Sequence, residues 1–190
     1  MKMNSRFLLP LLVALVLSGC VTSKTPVGDQ TPQLDPKVWN GKWRDGSGRA
    51  MRTHIKDAKL GLVEVTNLEP WTKPSPGNVT REDVLIRTLG GTETIANTKQ
   101  GDGYGFARVY NDGASFLVFS ANVGVFQDLI RRGKLSGSVH KDHSGKSTGS
   151  CTIDHLNDRD YKRLQRQGFD VQMLFDENPS TVMTRSRGLW

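Results

Sequence analysis

The stretch YGFARVYNDGASFLVFSA, residues 104–121, decides the fold. On each side of Asp112-Gly113 apolar and polar residues alternate, which is the period-two pattern of a half-buried strand. Asp-Gly tolerates positive φ at both central positions of a tight turn, so the stretch reads as two antiparallel strands joined by a hairpin. The same pattern recurs outward from it. "AMRTHI" and "LGLVEV" flank "KDAK", "VLIRTL" ends at Gly90-Gly91, and "TETIANT" turns through "QGDG" into the first strand of the central hairpin. Further on, "KLSGSVH" and "STGSCTI" flank "KDHSGK", and "DVQMLF" and "TVMTRS" flank Asn178-Pro179 as a last hairpin.

Helical periodicity interrupts this run twice. Residues 158–167 have Asn157 or Asp158 as a cap, Tyr161 and Leu164 on one face and Gly168 as a stop. "VGVFQDLIRR" places Phe126, Leu129 and Ile130 on one helical face, and a strand is the alternative there. No internal repeat is present. The expected fold is mainly β with one or two short helices, an antiparallel barrel or sandwich.

The amino terminus carries a different signal. Lys2 and Arg6 precede an uncharged run from Phe7 to Leu17, followed by Ser18 and Gly19, the order of an export signal. That run is shorter than the roughly 20 residues of a spanning helix, and Pro10 weakens it further. Leu17-Ser18-Gly19-Cys20 resembles the lipobox of bacterial lipoproteins. The resemblance implies cleavage between Gly19 and Cys20 and acylation of Cys20, which anchors the chain to a membrane and prevents a disulfide with Cys151. Val21 stands where Asp would imply retention in the inner membrane of many Gram-negative hosts, so the resemblance points to the outer membrane, facing the periplasm or the surface. In a Gram-positive host it points to the outer face of the cell membrane. Residues 20–37, polar and interrupted by Pro26, Pro32 and Pro36, read as a lipidated cysteine and flexible tether. Residues 38–190 read as a single β-rich domain.

The chain has 26 basic and 19 acidic residues, a formal charge of +7, and stays basic after losing Lys2 and Arg6. An exported, tethered protein rarely meets nucleic acid, so the charge points to an envelope protein partner or an anionic surface. Arg131 and Arg132, with Lys162, Arg163 and Arg166 on the later helix, are the basic candidates; exposed helical charge also serves simple solvation. Trp71, on a loop with Pro70, Pro74 and Pro76, is a candidate interface anchor. The alternative is that it caps a sheet. Trp190 is read as packing or a docking point. Cys151, alternating with Ile153 and His155, reads as a small buried hydrophobe, with a catalytic thiol or an intermolecular disulfide as the alternatives.

Gly41-Lys42-Trp43 resembles the first lipocalin motif, whose tryptophan plugs the closed end of an eight-stranded barrel. That resemblance implies a carrier of a small apolar molecule or lipid, with Phe106, Leu117 and Phe119 as lining candidates; the other lipocalin motifs are not evident. No metal, cofactor or catalytic set is expected. His140 and His155 fall roughly 26 Å apart along their hairpin at about 3.3 Å per residue. Gly145-Lys146-Ser147 lacks the earlier glycine of a phosphate loop, and Phe106 breaks the dinucleotide pattern after Gly101. Neighbouring Glu82 and Asp83 point to opposite faces of a strand, as do Asp176 and Glu177 if they too lie in one. The leading expectation is a non-enzymatic interaction or assembly module. The rivals are the lipocalin-like carrier and an envelope hydrolase with polar residues converging in a cleft.

Overall fold

The structure, a computed structural model, describes residues 20–68, 79–141, 145 and 147–186. Seven strands follow one another as an antiparallel meander: β2 (Gly41–Arg44), β3 (Ala50–Asp57), β4 (Leu62–Leu68), β5 (Val79–Leu89), β6 (Glu93–Gln100), β7 (Gly103–Asn111) and β8 (Ser115–Ser120). Strand β11 (Thr181–Arg185) pairs antiparallel with both β8 and β2 and closes the ring at eight strands. The central hairpin forms as its alternation requires. Tyr110 pairs with Leu117 and Asn111 with Phe116. Asp112 Oδ1 accepts from the amides of Ala114 at 2.9 Å and Ser115 at 2.7 Å, and Gly113 supplies the positive φ of +85°.

Inward positions of the ring form one core, with Trp43, Met51, Val63, Val65, Val84 and Ile86 all 3% exposed or less. The short helix α1 (Pro36–Trp39) starts at Asp35, whose carboxylate accepts from the Lys37 amide at 2.8 Å, and lays Trp39 across one end of the barrel. Trp43 Nε1 donates to Thr53 Oγ1 at 2.9 Å, and that hydroxyl donates to the Trp39 carbonyl. Arg185 lies 5.1 Å from the Trp43 ring centroid and donates to the carbonyls of Lys37 at 2.8 Å and Asn40 at 2.7 Å. This end is therefore closed by aromatic packing tied down with charge-assisted hydrogen bonds.

A second layer branches from β7. Strand β1 (Cys20–Ser23) pairs antiparallel with Tyr104 and Gly105 of β7 and parallel with β10 (Ser147–Ile153), and β9 (Gly137–Lys141) pairs with β10 as the outer edge. Helices α2 (Val123–Arg131), α3 (Asp158–Gln165) and α4 (Val171–Leu174) accompany this extension. Asn157 caps α3 in a reciprocal pair with Asp160, and Asn122 caps α2. Their apolar faces, with Phe126, Leu129, Tyr161, Leu164 and Leu174, meet Val21, Phe106, Cys151 and Ile153 in a second core. Phe106 stacks edge-on against Phe126 at 5.7 Å and Phe175 at 6.3 Å. Each such buried ring contributes roughly 2–3 kcal/mol.

Three expectations are corrected. Residues 20–37 are no flexible tether: Val21, Val27 and Leu34 are 4% exposed or less, and the chain is stitched to the barrel. The buried Asn97 side chain accepts from the Val27 amide at 2.7 Å and donates to its carbonyl at 3.1 Å, acting as a short strand of its own. The last hairpin is absent because residues 171–174 form α4, capped by Asp170 with Val171 and Leu174 buried one turn apart. There are four helices among the described residues, with α1 unforeseen because its aromatic residue serves as a plug rather than part of a periodic stripe.

Candidate functional site

The barrel interior is filled. Inside the ring, Trp39, Val65, Ile86, Val109, Phe116 and their neighbours leave a gap of about 20 Å³, room for a single water at most. Trp43 is 0% exposed and is part of this filling rather than the lining of an open pocket. Phe106, Leu117 and Phe119 do share one face of the central hairpin, as the turn requires, but it is the outer face. Phe106 and Phe119 are buried in the second core, and Leu117 packs against it. The expectation that they line a lumen is corrected, because Ala107, Val109 and Val118 take the inward positions.

The basic candidates lie on the helical extension. The two arginines at the end of α2 are exposed: Arg131 Nη2 donates to Gln127 Oε1 at 3.0 Å, and Arg132 pairs with Asp128 at 2.9 Å. On α3, Arg163 Nη2 donates to the Lys134 carbonyl at 3.0 Å, which joins the ends of the two helices, and pairs with Asp160 at 3.1 Å. Lys162 and Arg166 are exposed beside Gln165 around a shallow depression. Sequence separates these two basic stretches by some thirty positions, and the Arg163 bond to the Lys134 carbonyl ties α3 to the turn that follows α2, a contact that neither helix signals when read alone.

This surface is also linked to the first strand. Gln127 Nε2 donates to the Ser150 carbonyl at 3.4 Å, and Ser150 is the register partner of Cys20. The backbone of Cys20 is already in the sheet. Nearby, His140 contacts Ser150 Oγ through Nδ1 at 3.2 Å and Thr152 Oγ1 through Nε2 at 2.9 Å. Among the described residues no three His, Cys, Asp or Glu side chains gather as a metal site. His155 lies instead beside Asp160 on the α3 side, at 3.2 Å. Residues 1–19, Trp71, His143, Lys146 and Trp190 lie outside the described residues. No helix among the described residues is long and apolar enough to cross a membrane.

No protein family, curated protein or solved structure matches this chain.

Proposed function

We propose that the protein is a lipid-anchored cell-envelope lipoprotein whose β-rich domain is a non-enzymatic interaction module, docking an acidic partner through its basic helical face. The observation that carries this reading is that Arg131, Arg132, Lys162, Arg163 and Arg166 are all exposed on the helical extension, with Arg163 tied to the turn after α2 through the Lys134 carbonyl. Exposed cationic side chains steer an acidic partner and help set its orientation. The anchor is Cys20, on the strength of the lipobox resemblance, and the outer membrane is the proposed location on the strength of Val21. The test is crosslinking mass spectrometry in cells making the chain or its Arg132→Glu, Lys162→Glu, Arg166→Glu variant. Crosslinks to acidic envelope proteins disappear in the variant while its thermal melt is unchanged; crosslinks that persist undiminished would falsify the docking face. Labelling with a palmitate analogue, lost in Cys20→Ser, tests the anchor separately.

The second reading is the lipocalin-like carrier. The eight-stranded meander barrel and the Trp43 plug favour it, and the small lumen opposes an apolar ligand of lipid size. Native mass spectrometry of the purified protein separates the two: a co-purifying lipid that is lost on refolding and rebinds would make the carrier reading primary.

A further inference from the structure

A groove of about 550 Å³ opens to solvent on the outer face of the barrel, across β6, β7 and β8. Its volume falls within the roughly 300–1,000 Å³ of small-molecule sites. Glu93, Arg108, Tyr110, Leu117 and Phe119 line it. The turns that join β6 to β7 and β7 to β8 are both among the described residues.

Register sets these five side chains together. Arg108 pairs with Phe119, and Tyr110 with Leu117, on the β7–β8 ladder. Ile95 pairs with Arg108, so continuing that register puts Glu93 opposite Tyr110 and diagonal to Arg108, on the same face. Same-face neighbours on adjacent strands lie about 5–8 Å apart. Leu117 pairs in turn with Val182 of β11. The row therefore runs from the Glu93 carboxylate into an apolar strip of Tyr110, Leu117 and Val182. Tyr110 at 53% and Val182 at 50% exposure are among the few large apolar side chains that the described surface leaves open, and both belong to this strip.

Arg108 is short of acceptors. Its guanidinium lies 4.3 Å from the Phe119 ring centroid, and its side chain is only 21% exposed. Among the described residues its one hydrogen bond runs from Nη1 to Glu93 Oε2 at 3.4 Å, well beyond the roughly 2.7–2.9 Å of a good charge-assisted pair. Nε is closed to solvent and has no partner. A guanidinium carries several N–H donors in a fixed fork, so one long bond leaves most of them without a protein acceptor.

This loosely joined pair selects among ligands. A lone anion meets Glu93 as a like charge, and a lone cation meets Arg108 in the same way. A phosphate brings still more negative charge against Glu93. A molecule with both charges a few Å apart satisfies both side chains, its carboxylate on the guanidinium fork and its ammonium on the carboxylate. An α-amino acid has that spacing. Its side chain then lies along the strip beside the charges, which favours an apolar one.

We propose that this outer groove is a binding site for an apolar α-amino acid in its zwitterionic form. Arg108 takes the carboxylate, Glu93 takes the ammonium, and the Tyr110 ring and Leu117 hold the side chain. Phe119 is a positioning residue: its ring holds the guanidinium in place, so less side-chain freedom is lost on binding.

The test is an amide NMR titration of the full-length chain in mild detergent, with L-phenylalanine as the probe. Phenethylamine, which lacks the carboxylate, and hydrocinnamate, which lacks the ammonium, are the comparisons. L-Phenylalanine moves the amides of Glu93, Arg108, Tyr110 and Leu117 along one saturable curve. Each stripped analogue binds at least about tenfold more weakly, as expected when one charge-assisted bond is lost. Glu93→Gln weakens L-phenylalanine about tenfold and narrows its advantage over hydrocinnamate, with the remaining amide spectrum unchanged. Arg108→Lys keeps the charge and weakens it severalfold through loss of the fork. Absence of saturable shifts in the groove, equal affinity for the three probes, or affinity unchanged in Glu93→Gln overturns the site.

Discussion

Replacing Glu82 by glutamine raises stability above neutral pH and has only a small effect at pH 5. The carboxyl faces into the barrel, and burial alone raises its pKa from 4.5 to about 7. A group whose folded-state pKa exceeds its unfolded value stabilises fully below the unfolded value, here about pH 4.5, and loses that contribution as pH rises through about 7. At about 1.4 kcal/mol per pH unit the full effect is about 3 kcal/mol. Partial access of Glu82 to solvent reduces it to about 2 kcal/mol. Glutamine keeps the size of the side chain and never ionises, so it removes the penalty without opening a cavity. A domain of this size shifts its melting temperature by roughly 2–4 °C per kcal/mol, so Glu82→Gln melts roughly 4–8 °C above wild type at pH 8.

The assay is a pair of melting curves at each half-unit from pH 5 to pH 8, in a buffer free of amines. The informative quantity is the difference between the two proteins, in which titrations common to both cancel. It grows from about a quarter of its full value at pH 5 to its full value at pH 8. A gap that stays constant across that range refutes the reasoning, because it means that the carboxyl is ionised throughout or never buried. A gap of opposite sign at pH 8 means that the carboxylate has a cationic partner in solution.

Val21→Ala costs about 2 kcal/mol in urea denaturation, because Val21 is 1% exposed beneath the second layer; a change near zero would return residues 20–37 to the role of a tether. Arg185→Ala loosens α1 and costs about 2–3 kcal/mol, read as a lower melting temperature with altered tryptophan emission from Trp39 and Trp43. Asp45→Ala costs about 1–2 kcal/mol at pH 7, since its carboxylate accepts from the amides of Ser47 and Arg49, each at 2.9 Å. Burial pulls the Asp45 pKa upward, but hydrogen bonds from Ser47 and Arg49 outweigh it and leave the pKa lowered. Stability from Asp45 is therefore present above about pH 4 and fades as pH falls through the lowered value, so the two proteins converge in acid urea titrations.

Local signals carried the strands well. Period-two alternation and turn residues placed the β3–β4, β6–β7 and β7–β8 hairpins because these depend on neighbours in sequence. What defeated sequence reading was pairing over distance. The segment from 21 to 37 has three aliphatic residues, Val21, Val27 and Leu34, spaced six or seven apart with no period of helix or strand. Each is buried nonetheless: β7, β10 and the Asn97 amide supply the hydrogen bonds at Val21 and Val27, and Leu34 packs into the barrel core. The environment of Glu82 was half legible: parity separates Glu82 and Asp83 to opposite faces, and only the pairing of β5 within the ring turns the Glu82 side inward with Val84 and Ile86.

Val21 joins the fold to the proposed anchor. Its side chain enters the second core one residue after Cys20, whose backbone is already paired with Ser150. Under the proposed anchoring, a lipid on Cys20 would leave no spacer before the folded domain, whose Ser150 carbonyl, on the register partner of Cys20, accepts from Gln127. Packing alone holds Val21 in place whatever its part in the proposed sorting, since an aspartate there places an unpaired charge under the sheet. An aspartate introduced to test that sorting would therefore disrupt the second layer. Sorting is better tested with a polar spacer inserted between Cys20 and Val21, which leaves the packing of Val21 untouched.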